Sequence, residues 1–181
     1  MPVVAMQSNM GVRIPADALT KCQAAAEQAI NVLRRASQTL KEDNVNVSEQ
    51  DLANLANFYF IGQDDADFGD CVANIRLLIK ATKRGIAEQR IKVDYGYFNH
   101  AQRRTVTHIM FLGMNNFTCP NRLLRFFVHE ASHMYANTDD RTGYLTRQGT
   151  YENNGVNKES ASNSADALAG LVLAFSGIGI E

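Results

Sequence analysis

The sequence predicts an α+β domain, mainly helical, with a small β-sheet placed just before one further helix. Three observations predict it. Apolar residues recur at helical spacing in three segments between residues 16 and 89. Two short runs follow, 91–98 and 105–112, rich in β-branched, aromatic and other apolar residues. A second helical pattern then runs from Asn121 to about Ala136. A length of 181 residues suits one domain, 1–181, with a core of its own. The contents, 45% hydrophobic and 20% charged, are those of a globular chain and too apolar for a disordered one.

In chain order, residues 1–14 read as an extended arm ending at Pro15. A helical N-terminal part spans 16–90. Its first helix runs from Ala16 to about Leu40, with Leu19, Cys22, Ala26, Ala29, Ile30 and Leu33 on one face and Asp17 in the first turn, where a negative charge suits the dipole. Lys41 to Val47 is a polar turn. Ser48 begins a second helix with Asp51 three places on, close to a capping box. Gln63 to Asp67 is turn-like. A third helix follows from about Asp67 to Gln89, with Cys71, Val72, Ile75, Leu78 and Ile79 on its apolar face. The acidic cluster Asp64, Asp65, Asp67 and Asp70 lacks the glycine and terminal Glu of a calcium-binding EF-hand loop, so it reads as a solvated helix start.

The remainder, 91–181, carries the sheet, a motif helix, a loop and a last helix. In the first strand Val93, Tyr95 and Tyr97 alternate with Lys92, Asp94 and Gly96. The polar connector Asn99 to Arg104 makes the two strands read as a hairpin. Thr118-Cys119-Pro120-Asn121 introduces the motif helix. Residues 137–156, rich in Gly, Asn, Thr and Asp, form a long loop, and loops of that length in a compact domain tend to be functional. A final helix is expected from about Asn157 to Phe175.

Composition also excludes function classes. A formal net charge of −1 leaves no basic excess for nucleic acid or anionic lipid. Cys22, Cys71 and Cys119 are odd in number and suit neither a CxxC site nor a disulfide framework, so they read as buried free thiols of a reducing compartment. The start, Met1 to Gln7, lacks the pattern of a Sec signal peptide. The apolar run Leu168 to Ile180 is too short to span a bilayer. The expectation is a chain made in the cytoplasm, with no membrane span and no nucleic-acid partner.

The most informative stretch is Val128-His129-Glu130-Ala131-Ser132-His133, an H-E-x-x-H pattern inside an apolar segment. On a helix, residues four apart share a face, so His129 and His133 can present imidazole nitrogens to one metal ion. Glu130 is placed to act as general base toward a water that the metal acidifies. Leu123, Leu124, Phe126, Phe127 and Val128 before the motif, and Met134 and Tyr135 after it, predict a buried helix, where an unpaired imidazole is costly. A catalytic zinc takes three protein ligands. The only other histidines, His100 and His108, lie upstream, so the third ligand is expected to be a carboxylate. Asp140, in the loop, and Glu159, on the next helix, both fit, and spacing alone leaves the two open.

A family resemblance separates them. His129-Glu130-Ala131-Ser132-His133 followed by Thr138-Asp139-Asp140 resembles the deuterolysin or aspzincin family, which includes the peptidyl-lysine metalloendopeptidases and carries H-E-x-S-H followed by G-T-x-D. Ile109-Met110-Phe111-Leu112 with Asn116-Phe117 looks like that family's strand before the active-site helix. Ser164-Ala165-Asp166 looks like its N-A-D segment. The resemblance spans about residues 105–175. It implies a zincin-like fold, Zn²⁺ as cofactor with Asp140 as third ligand beside His129 and His133, and Asp139 as a hydrogen-bonding neighbour. Where the family has Gly before Thr, this chain has Asn137, which tolerates the same left-handed backbone. The interval from His133 to Thr138 is shorter. Arg141-Thr142-Gly143-Tyr144 replaces a Tyr-x-Tyr-Gly-like segment, which leaves Tyr144 as the counterpart of the family's site tyrosine. Asp166 matches the first acid of the family's lysine pocket, whereas Ala169 stands at the second.

The function expected is that of a zinc-dependent metalloendopeptidase acting on a protein or peptide substrate. Without a Sec signal, such a protease is expected either to leave by a non-Sec route, as a bacterial effector or toxin domain would, or to have narrow specificity, and an inhibitor or immunity protein is an expected partner. Glu130 is the base, Tyr144 or Tyr151 a donor to the oxyanion, and Asp166 either the binder of a basic P1′ side chain or a group that orients a histidine ligand. The alternatives are a zinc hydrolase of peptidoglycan amides, a peptidase with Glu159 as third ligand, and a non-catalytic metal-stabilised binding domain.

Overall fold

A computed structural model describes residues 2–8, 11–41, 47–96, 109–146 and 148–180. Strand β1 is Val3–Ser8, followed by helices α1 (Ala18–Thr39), α2 (Glu49–Tyr59) and α3 (Phe68–Glu88). Strands β2 (Ile91–Gly96) and β3 (Ile109–Gly113) come next, then a 3-10 helix (Met114–Thr118), α4 (Pro120–Ala136), the short α5 (Lys158–Ala161) and α6 (Ala165–Ala174). The class is α+β and mainly helical, with the small sheet ahead of the motif helix as the sequence predicts.

The helices form where their apolar stripes find one another. Cys22, Ala26, Ala29 and Leu33 of α1 meet Ile75, Ile79 and Ile86 of α3 in one core, which also takes Phe127, Val128 and Ala131 of α4. Small residues on α1 let the neighbouring backbones come close. Gly85 of α3 does the same against α4: a β-carbon there would lie 2.0 Å from the Tyr135 ring. Ser48 caps α2 by accepting the Asp51 N–H at 3.1 Å. Helix α4, opened by Pro120 at its first turn, packs on α1, α3, α6 and β3 and is the central element of the fold.

Three expectations change. The N-terminal arm is a strand: β1 pairs in parallel with β2, with Val3 opposite Ile91. The two predicted strands do not form a hairpin. They pair in parallel, from Lys92 opposite Ile109 to Gly96 opposite Gly113, in the order β1-β2-β3. Parallel neighbours need a crossover of a dozen or more residues rather than a turn. The expected connector Asn99 to Arg104, with the strand ends to Phe98 and from Thr105, lies outside the described residues. Finally, the last helix is two. Asn157 and Ser160 close a capping box on α5, and Ser164 restarts the chain as N-cap of α6, accepting the Ala167 N–H at 3.2 Å. A serine in Ser162-Asn163-Ser164 offers the backbone a better partner at a helix start than inside one.

The acidic turn behaves as a solvated surface. Lys158 bridges Asp65 at 3.1 Å and also pairs with Asp67. The three cysteines are thiols, with no disulfide among them. Cys22 is buried, and burial pushes its thiol up to about 12, whereas Cys71 and Cys119 are half-buried rather than buried as expected. No helix of the described residues is long and apolar enough to cross a membrane.

Candidate metal centre

Helix α4 brings His129 and His133 to one face, and the chain then has to turn back for a third donor. Asn137 makes that turn. It ends α4 in the left-handed region at φ 54° and sends its N–H to the Ser132 carbonyl. The loop is then clamped to the break between α5 and α6. Asp139 donates its N–H to the Asn163 carbonyl at 2.9 Å and accepts the Ala165 N–H at 3.0 Å, while the Asn163 side chain donates to the Asn137 carbonyl at 3.0 Å. The split of the final helix thus supplies the backbone groups that fix the loop.

Held this way, Asp140 meets both imidazoles. Its Oδ1 is 3.0 Å from His133 Nε2 and 3.3 Å from His129 Nε2, and the two nitrogens are 3.1 Å apart. Among the described residues, His129, His133 and Asp140 are the group able to hold a metal ion. The fit to zinc is testable on these distances. Bonds of about 2.0–2.2 Å in a tetrahedron put neighbouring donors about 3.3–3.6 Å apart. The observed triangle is slightly tighter than that and of the same shape. Two imidazoles and one carboxylate make a donor set that could hold a metal ion such as zinc.

Each imidazole is braced from behind. His133 Nδ1 donates to the Thr138 carbonyl at 2.8 Å, which directs Nε2 toward Asp140. The Ser132 hydroxyl donates to the His129 carbonyl at 2.7 Å and shares a 2.7 Å bond with Thr138 Oγ1. His129 is 1% exposed, and behind its Nδ1, at 3.5 Å, lies Asp166 Oδ2. That is an electrostatic contact at the edge of hydrogen-bond reach. Burial works against a charge on His129, but the Asp140 and Asp166 carboxylates outweigh it and push the imidazole up to about 10. Burial likewise opposes a charge on His133, and Asp140 overcomes it, so that pKa also rises. The two imidazoles, in turn, hold Asp140 far below the usual carboxylate range.

The other expected residues take distinct places. Glu130 is 19% exposed with Oε1 4.0 Å from His129 Nε2, and burial raises its pKa against the pull of both imidazoles. Tyr144 is half-buried at the site, its ring centroid 5.7 Å from that of His129. Tyr151 is committed elsewhere: its hydroxyl donates to the Phe58 carbonyl at 2.6 Å. Asp139 turns away to Arg141, at 3.1 Å. Glu159 is exposed on α5 and outside the donor group, so the structure sets it aside as third ligand. Asp166 is 2% exposed and bonded to Arg125 at 2.9 Å, so it presents no open acid to a substrate side chain.

Arg125, Ser132 and the Thr138 carbonyl are site residues that the sequence reading passes over. The signal for Arg125 was a single charge in Leu123-Leu124-Arg125-Phe126-Phe127-Val128, one turn before His129. A charge on a buried helix face needs a partner, and Asp166 of α6 is that partner at 2.9 Å.

No protein-family model matches the chain, and no curated protein matches it.

Proposed function

We propose that this chain is a zinc-dependent metalloendopeptidase of the deuterolysin type. One observation carries the reading: two imidazole nitrogens and a loop carboxylate oxygen converge within 3.0–3.3 Å of one another, with a raised-pKa carboxylate, Glu130, on the same helix beside them. When bound, zinc supplies Lewis acidity, which acidifies a water and polarises a carbonyl. Glu130 then takes a proton from the attacking water as its oxygen bonds the scissile carbon. It returns that proton to the amide nitrogen as the C–N bond breaks. The upward shift of Glu130 toward neutrality suits a group that accepts and then delivers. The Tyr144 hydroxyl is the proposed donor to the oxyanion.

Zn²⁺ is the proposed cofactor and a protein or peptide the proposed substrate. Asp166 is proposed to orient His129 and not to bind a basic P1′ side chain, because Arg125 already pairs with it. Preference for lysine is therefore not part of the reading. The test is mass spectrometry of a peptide library digested by wild type beside Glu130→Gln. The expected result is cleavage by wild type, stopped by a chelator and restored by zinc. The variant should retain zinc and lose at least about 100-fold in rate. Cleavage by the variant at the wild-type rate contradicts the assignment.

A further inference from the structure

We infer that Arg125 and Asp166 are a positioning pair for His129: the buried guanidinium fixes the carboxylate so that its second oxygen holds the imidazole with Nε2 toward the metal. The inference rests on the zinc-site reading above. Arg125 lies one helical turn before His129 on α4, so both side chains leave the same face. Its Nη2 donates to Asp166 Oδ1 at 2.9 Å and to the Leu145 carbonyl at 2.8 Å. The side chains of the pair are 4% and 2% exposed. With Oδ1 taken, Oδ2 lies 3.5 Å from His129 Nδ1, a charge contact rather than a hydrogen bond, and Nδ1 has no hydrogen-bond partner among the described residues.

A carboxylate behind Nδ1 favours the proton there and leaves the Nε2 lone pair for a ligand bond. His133 meets the same need with a neutral carbonyl, that of Thr138. The more buried His129 has a full charge behind it, and a full charge needs a counter-charge to be buried at all. Arg125 is that counter-charge. Its bond to Leu145 also fixes the residue next to Tyr144, whose ring lies against His129. One cation thereby joins the motif helix, α6 and the segment carrying the proposed oxyanion donor. Stability alone does not call for this arrangement, because buried ion pairs replaced by apolar residues of similar volume are often as stable or more so.

The experiment uses that property. Zinc affinity is measured by competition with a chromophoric chelator for wild type, for the double variant Arg125→Met with Asp166→Leu, and for Asp166→Asn. Circular dichroism and melting temperature report the fold, and ¹⁵N chemical shifts of the His129 ring report its tautomer. The double variant is expected to fold, to bind zinc about 10–100-fold more weakly, and to lose the single Nδ1–H tautomer. A folded double variant with wild-type affinity and tautomer overturns the inference. Should the double variant not fold, Asp166→Asn decides: it keeps the shape and an oxygen for Arg125 but removes the charge behind His129. About tenfold weaker zinc binding supports the pair, and unchanged binding overturns it. Failure of wild type itself to bind zinc overturns the site reading and this inference together. Unchanged affinity in a variant beside a zinc-binding wild type overturns the inference alone.

Discussion

The two halves of this molecule bury different things. Before residue 109, setting tyrosine aside, Thr82 is the one buried polar side chain among the described residues, and it bonds the Leu78 carbonyl of its own helix. After residue 109 the buried set holds Asn116, Arg125, His129, Ser132, Thr138, Thr142, Ser164 and Asp166. Both halves belong to one apolar cluster. The difference is therefore not one of separate cores but of what each half adds to a shared one. Helices α1 to α3 supply packing that α4 can lean on. Helices α4 and α6, with the loop between them, place hydrogen-bonded polar groups inside that packing. Buried polar groups cost free energy unless every partner is present. A half of the core that accepts this cost is where the chemistry is expected.

The comparison breaks most sharply at the ligands. His133→Ala removes a donor and the bond to the Thr138 carbonyl together. Zinc content by mass spectrometry should fall from one per chain toward zero, and hydrogen exchange at 137–144 should quicken. Full zinc occupancy in that variant would erase the distinction between the halves. The converse comes from the scaffold. Leu33 is fully buried on α1, and Leu33→Ala should cost about 2–5 kcal/mol in denaturant unfolding while the folded protein binds zinc as wild type does. A large loss of zinc affinity there would show that the apolar half shapes the site directly.

The smallest effect is expected where the two halves touch at the surface. Lys158 of α5 pairs with Asp65 and Asp67 ahead of α3. The Gly62 N–H and then Lys158 lower the pKa of Asp65, and Lys158 first of all lowers that of Asp67. Groups lowered on folding stabilise above the ordinary carboxylate value of 3.8, and that gain disappears as pH falls through their lowered values. Lys158→Ala should therefore lower the melting temperature slightly at neutral pH. The difference should shrink in high salt and vanish in strong acid. An undiminished difference at low pH would mean that the lysine acts through packing instead.

What the sequence disclosed follows the same division. Helices α1 to α4 were legible because an apolar stripe at a regular period has one reading. His129 and His133 were legible because the spacing of four puts both on one face. Asp140 emerged only through the T-x-D register of the family resemblance; spacing left Glu159 equally open. The sheet was misread as a hairpin because short strands with a polar connector look alike whichever direction the second strand runs, and nothing in 1–14 announced a third strand. The break at Ser162-Asn163-Ser164 was hidden because no Gly or Pro stands between Asn157 and Ala169 to mark it. Arg125 was visible as a misplaced charge, but its meaning depends on Asp166, forty-one residues away and brought near only by the packing of α4 on α6.

The most direct test of the account is a crystal structure of the zinc-soaked protein with anomalous data recorded on both sides of the zinc edge. The account predicts one strong anomalous peak about 2.0–2.2 Å from His129 Nε2, His133 Nε2 and an Asp140 oxygen, with Glu130 outside the bonded set. No peak there, or a peak whose third protein donor is Asp139, Glu159 or Glu130, would contradict it.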